Sequence, residues 1–294
     1  MRTRIISALV GTPILLALLF WPGTARPFYG WPFALLLLVL MLTALREFYN
    51  GCRIGGAVPL EEFGYGVAVV LMLAATPLVG DMGGLLLRFV LSLAVMLSLV
   101  VEALRRNSSP LRNLAPLWLG ALYVGWLFPF GLRLRLIGPE AVAHLGWRLP
   151  SPWMEQFGHG PWLLLFTILV TTMVDTGAYF VGKSVGRHKL APKVSPGKTW
   201  EGSAGGFAAA ILVGALAAYC LGLPLRFALP TAALIGVVAQ LGDLSKSAIK
   251  REIGIKDFGS LIPGHGGVLD RFDSLLFTVP LVYWLLVLTG PLPH

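Results

Sequence analysis

The chain has 294 residues, of which 56% are hydrophobic and only 13% charged, and its mean hydropathy is +0.78. Those values exclude an ordinary soluble globular domain and a disordered chain, since neither carries so much apolar surface with so few charges. The net charge of +9 fits nucleic acid, anionic lipid or membrane topology, so its distribution along the chain has to decide among them.

Apolar runs approaching the about 20 residues needed to cross a bilayer occur near 5–21, 31–45, 64–80, 85–101, 114–130, 161–181, 204–222, 228–242 and 274–290. The expectation is an all-α, polytopic membrane protein with about nine transmembrane helices. It forms a single integral membrane domain over 1–294, with 1–130 mainly structural and 161–290 bearing the polar groups. The first run follows Arg2 and Arg4 and has the look of a signal peptide. It ends in Phe20-Trp21-Pro22 without a small-x-small cleavage site, so a retained first helix is expected. Arg88 lies near the start of the fourth run and is rescued by snorkelling. Cys52 and Cys220 have no metal-ligand or redox spacing around them. The segment 131–160, with Trp147, Trp153 and several prolines, reads as interfacial.

With nine spans and the N-terminus cytoplasmic, 17 of the 23 Lys and Arg residues fall on the inner side and 6 on the outer. That is a positive-inside bias, and it assigns the charge to topology, so no nucleic-acid partner is expected. The polar segments 182–203 and 243–273 then emerge on the same cytoplasmic face.

Asp175 sits in the apolar run Leu169–Gly182. An ionisable group inside a span costs about 2.5–3.5 kcal/mol to insert at the helix centre and is a functional candidate by default, against a helix–helix hydrogen bond as the plain alternative. Lys198 lies in Ser195-Pro-Gly-Lys-Thr-Trp-Glu-Gly202, where Ser195, Thr199 or Glu201 can cap the next helix. This is not a P-loop, because Pro192 stands where the first glycine would be and no strand precedes it. In the seventh run, Gly206, Ala210, Gly214, Ala218 and Gly222 form a small-residue ridge suited to packing within or between subunits.

Asp243, Lys246, Ser247 and Lys250 recur at helical spacing and share one face. A carboxylate there can hold a divalent cation while lysines meet phosphate oxygens. Alone, the group also reads as a salt-bridged helix end. Downstream, Asp270 and Asp273 lie three residues apart at the start of the ninth run, where capping accounts for one carboxylate more readily than for two. Between these groups, Pro263-Gly-His265-Gly266-Gly267 can bring backbone N–H groups to a phosphate. Asp257-Phe258-Gly259 spells a kinase motif without the other kinase signatures and is read as coincidence.

Taken together, Ser247, Lys250, Arg251, Lys256, Asp257, Pro263, His265, Gly266, Gly267, Asp270, Arg271 and Asp273 fill every fixed position of the signature of the phosphatidate cytidylyltransferases, the CDP-diacylglycerol synthases. The chain resembles that family also at Asp175, Ala178, Tyr179, Gly182 and Lys183 and at Ser195–Gly202. Its N-terminal half matches only as a string of apolar spans. The resemblance implies the reaction of CTP with phosphatidate to give CDP-diacylglycerol and pyrophosphate, with magnesium, a possible second cation, a homodimer and membrane lipid as partners. It implies Asp243, Asp270 and Asp273 as metal ligands, and Lys250 and Arg271 beside them in catalysis. It further implies Asp175, Lys198, Ser247, Arg251, Lys256, His265, Gly266 and Gly267 as substrate-binding residues. A bacterial inner (plasma) membrane location with the active site facing the cytoplasm is expected. A CTP-dependent lipid kinase of the dolichol kinase type and a transporter are the alternatives. The CDP-alcohol phosphotransferases are excluded, since their Asp-Gly-x-x-Ala-Arg element is missing.

Overall fold

The computed structural model describes residues 2–21, 30–78, 82–105, 109–259 and 266–290. Helices dominate, as they must where lipid leaves backbone N–H and C=O groups no partner outside the segment itself. In chain order they are α1 (Arg2–Leu19), α2 (Trp31–Ile54), α3 (Glu61–Ala74), α4 (Met82–Leu104) and α5 (Pro110–Leu119), which runs on into a π-helix at Gly120–Trp126. Three short helices follow, α6 (Phe130–Arg135), α7 (Pro139–Val142) and α8 (Pro152–Glu155), then α9 (His159–Val185). A small hairpin, β1 (Lys189–Ala191) and β2 (Ser195–Thr199), leads into α10 (Trp200–Leu221), α11 (Leu225–Ile253) and α12 (Leu269–Thr289).

Among the described residues, seven helices are long and apolar enough to cross a membrane: Trp31–Ile54, Gly83–Leu104, Pro110–Arg135, His159–Val185, Trp200–Leu221, Leu225–Ile253 and Leu269–Thr289. The expected nine included the runs at 5–21 and 64–80. The second of these yields only the 14-residue α3, about 21 Å at the helical rise per residue. Pro77 is the reason, because the residue before a proline is pushed out of the helical region, and the chain turns after Ala74. The first run forms the 18-residue α1, with Pro13 inside it.

The chain divides into two compact units, Met1–Arg133 with Lys250–Phe272, and Leu134–Ile249 with Asp273–His294. The segment 250–272 belongs with the N-terminal helices. In the first unit, Tyr49 of α2 is fully buried. Its ring fills the space left by Gly64 on α3 and Gly120 on the π-helix, and its hydroxyl donates to the Leu117 carbonyl at 3.1 Å. A buried polar set holds the turn after α2. Glu102 accepts from Asn113 Nδ2 at 2.5 Å and Arg105 Nη1 at 3.0 Å, while Asn113 Oδ1 accepts from the Val58 N–H at 2.8 Å. Each group is satisfied, as burial requires.

The second unit is built on α9 against α10. Gly206 approaches α9 so closely that a Cβ there would meet the Val174 carbonyl oxygen at 2.7 Å and the Ala178 Cβ at 3.1 Å. Gly214 packs against Ala232 of α11, and Ala210 lies against Gly236. The small-residue ridge of α10 therefore packs within the subunit. Gly206→Val is expected to lower the thermal midpoint of the detergent-purified protein through overpacking of about 1–3 kcal/mol. An unchanged midpoint would show that the helices can separate there without loss. The segment after α6 is not simply interfacial. Trp147 is buried and donates its indole N–H to the Leu221 carbonyl at 2.8 Å, capping the end of α10, whereas Trp153 is exposed. Cys52 and Cys220 are both free thiols.

Candidate active site

The hairpin that carries Lys198 is antiparallel, with Lys189 opposite Thr199 and Ala191 opposite Ser195. It brings the chain directly into the first turn of α10, where the Thr199 hydroxyl oxygen accepts the Gly202 N–H at 3.1 Å. Thr199 is thus the cap among the three candidates. Glu201 instead ties the start of α10 to the residues that lead into β1, accepting from the Arg187 N–H at 3.1 Å and meeting His188 Nδ1 at 2.6 Å. With the open end of the hairpin held in this way, Lys198 is presented to α11. Its ammonium pairs with Asp243 Oδ2 at 2.8 Å and donates to the Gln240 carbonyl at 3.4 Å. The Gln240 side chain reaches back to the Ser203 carbonyl at 3.2 Å, linking α11 to α10.

Asp243 lies one turn before Lys246 on α11, and Lys246 is almost wholly buried, 5% exposed. A lone ammonium at that depth would be strongly disfavoured. Here it lies between two carboxylates, 3.4 Å from Asp243 Oδ1 and in direct contact with Asp273 Oδ2. Two carboxylates gathered at one point demand a cation or a proton between them, and the Lys246 ammonium is that cation here. The approach depends on Gly242, where a Cβ would meet the Phe277 ring at 3.0 Å and the Asp273 carbonyl oxygen at 3.1 Å. Asp175, on the exposed side of α9, lies in the electrostatic field of Asp273, Asp243, Lys198 and Lys246.

In the other unit, Lys250 donates to Asp270 Oδ1 at 3.0 Å, with Asp257 Oδ1 at 3.8 Å. The second oxygen of Asp270 accepts the Phe258 N–H at 3.0 Å and the Gly267 N–H at 3.4 Å. Gly266 has φ +85°, a left-handed conformation that favours glycine. Gly267 is constrained differently, since a side chain there would strike Glu47. Asp257-Phe258-Gly259 is not idle sequence. The Phe258 ring is buried 5.8 Å from the Phe48 ring and against Gly51, so it anchors the segment on α2.

The residues singled out from sequence thus fall into groups. Asp243 and Asp273 share Lys246, Lys198 pairs with Asp243, Asp175 is exposed on α9, and Lys250 and Asp270 meet beside Gly266 and Gly267. Arg251, Lys256 and Arg271 are exposed, and Ser247 is half-buried on α11. His265, with Pro263 and Gly264, lies outside the described residues. Sequence reasoning missed Glu47, although an acid inside the apolar α2 is the same signal that marked Asp175.

Among the described residues no three His, Cys, Asp or Glu side chains gather as a metal cluster. Asp243 and Asp273 are the two carboxylates gathered on Lys246. That donor set fits magnesium, which characteristically takes one or two carboxylates and completes its shell with water and substrate phosphate oxygens.

With this geometry in place, comparison with known proteins is direct. The model of the cytidylyltransferase family matches residues 2–289. A phosphatidate cytidylyltransferase of Synechocystis sp. is 37% identical over 98% of this chain and 97% of its own length. Proteins of the same name from Bacillus subtilis, 36% identical over 66% of each chain, and Staphylococcus haemolyticus, 29% identical over 98% of this chain and 99% of its own, are also similar. The chain belongs to the cytidylyltransferase family.

Proposed function

We propose that this protein is a phosphatidate cytidylyltransferase, joining the cytidylyl group of CTP to phosphatidate and releasing pyrophosphate. The observation that carries this reading is the buried Lys246 between Asp243 and Asp273, with Lys198 on the outer oxygen of Asp243, in a chain matched along 2–289 by the family.

The chemistry needs little proton transfer. A phosphomonoester has its second pKa near 6, so the lipid phosphate is an anionic nucleophile at neutral pH without a general base. One of its oxygens forms a new bond to the α-phosphorus of CTP, the bond from that phosphorus to the β-bridging oxygen breaks, and pyrophosphate leaves with the electron pair. The obstacle is repulsion between anions, so positioning and charge neutralisation account for most of the rate. Lys198 and Lys246 are placed to meet phosphate oxygens, each already engaged with a carboxylate that fixes its position. Lys250, Arg251 and Arg271 supply further positive charge, and Ser247, Lys256, Gly266, Gly267 and His265 are assigned to substrate contact on the strength of the signature. Asp243 and Asp273 would hold magnesium, and Asp270 is assigned as a ligand on the strength of the resemblance alone. Bound there, the ion would offset charge on the triphosphate. Asp175 shapes the field around the pair.

A homodimer, a bacterial inner-membrane location and a cytoplasm-facing site complete the proposal, the last supported by the clustering of Lys and Arg in the segments 182–203 and 243–273. The test is pyrophosphate release by the purified protein given CTP and magnesium, with and without phosphatidate. Release that requires the lipid supports the reading, and release indifferent to it, or none, contradicts it.

A further inference from the structure

Glu47 lies in the C-terminal third of α2, just past the apolar run 31–45, and is only 8% exposed. Both of its oxygens are engaged by backbone N–H groups, Oε1 by Val268 at 3.0 Å and Oε2 by Leu269 at 3.0 Å. These donors stand at the start of α12, where first-turn N–H groups lack helical partners. Glu47 therefore caps α12 from another helix. Gly259 and Gly267 pack so tightly on its carboxylate that a Cβ at either would collide with it.

Capping alone would make Glu47 a stability residue. What extends its role is that the same backbone binds Asp270. Gly267 rests its Cα on Glu47 and points its N–H at Asp270 Oδ2, and Phe258, anchored beside Phe48 and Gly51, donates to the same oxygen. One face of α2, formed by Glu47, Phe48 and Gly51, is thus the template on which the segment around Asp270 is laid down. The remaining oxygen of Asp270 receives Lys250.

We infer that Glu47 is a positioning residue of the cytidylyl transfer, fixing Asp270 and through it Lys250 by holding the start of α12. The inference rests on the proposed reaction. A misplacement of about 1 Å from a change away from the reacting atoms can cost about 10²-fold in rate, and loss of an outer hydrogen-bond partner of a functional group costs about 10–100-fold.

The experiment uses the full-length protein in detergent as wild type, Glu47→Gln, Glu47→Asp and Glu47→Leu. Readouts are kcat, KM for CTP and for phosphatidate, the thermal midpoint, and deuterium exchange of a peptide covering 266–272. In Glu47→Gln one N–H donor of α12 faces the amide NH2 instead of an acceptor. The expected result is a fall in kcat of about 10–100-fold with both KM values within about threefold, faster exchange confined to that peptide, and partial recovery in Glu47→Asp. Glu47→Leu is expected to lose the most, and if it fails to fold the other two variants decide. Turnover within twofold of wild type in Glu47→Gln overturns the inference. So does a loss matched by a global fall in the thermal midpoint and equal in the Asp and Gln variants. Absence of lipid-dependent turnover in the wild type would instead overturn the reaction itself, with the exchange data still reporting whether Glu47 holds α12.

Discussion

Asp243→Asn is expected to lower kcat/KM at least about 10²–10³-fold, the scale of losing one preorganised charged group at a phosphoryl or acyl transfer centre, while leaving the protein folded. Asp243 serves two cations, Lys198 on one oxygen and Lys246 on the other. Neutralising it releases the hairpin lysine from its fixed position and removes one of the two acids that fit a divalent ion. Stability changes less, because Lys246 keeps its direct partner Asp273 and is not stranded. Lys246→Met should behave differently. It leaves Asp243 and Asp273 facing each other without their cation, and its residual activity should depend more steeply on magnesium concentration than that of the wild type. Steady-state rates across a magnesium titration, with the thermal midpoint measured in parallel, check both. An Asp243→Asn variant of wild-type kcat/KM would remove this residue from the site.

Asp270→Asn is expected to abolish CTP-dependent transfer while the protein remains folded in the membrane. The wild-type carboxylate divides its oxygens between Lys250 and the Phe258 and Gly267 N–H groups. Asparagine retains one acceptor oxygen. If that oxygen serves the two backbone donors, the amide NH2 confronts Lys250, and that ammonium loses the nearer of its two charge partners. If it serves Lys250, two N–H groups lose their acceptor. Either arrangement leaves an unsatisfied group at a cost of about 1–3 kcal/mol, which a protein of this size can bear, whereas the charge Asp270 contributes cannot be replaced. Wild-type-like turnover in Asp270→Asn would show that the acid only organises the loop. Asp270→Glu separates charge from reach, and recovery there of even a few per cent of the rate would point to the charge.

Much of this arrangement is legible in the chain because it is local. Asp243, Lys246 and Lys250 follow helical spacing on α11, so their common face follows from the spacing alone. The order of apolar runs likewise announces a helical membrane protein, though the run at 64–80, expected to span, gives only the 14-residue α3. Three features escape. The hairpin at 189–199 is written Lys-Leu-Ala and Ser-Pro-Gly-Lys-Thr, and Pro196 and Gly197 argue against a strand by propensity. The contacts of Glu201 with Arg187 and His188 hold its two strands together at the open end. The partners of Lys198 and Lys246 follow from tertiary packing, with Gly242 providing the space. Glu47 bonds a residue 221 positions away, and no periodicity or motif spacing connects the two. Phe258 is a fourth, since the chance kinase spelling of Asp257-Phe258-Gly259 gives no hint that its ring anchors the segment on α2.

The central claim is that this chain transfers the cytidylyl group of CTP to the phosphate of phosphatidate. CTP labelled separately at the α- and γ-phosphates tests it most directly with purified protein, phosphatidate and magnesium. The α-label is expected to enter the lipid fraction and the γ-label to leave as pyrophosphate, with both transfers lost in Asp243→Asn. Recovery of the γ-label in the lipid, with CDP released, would contradict the account and identify a lipid kinase instead.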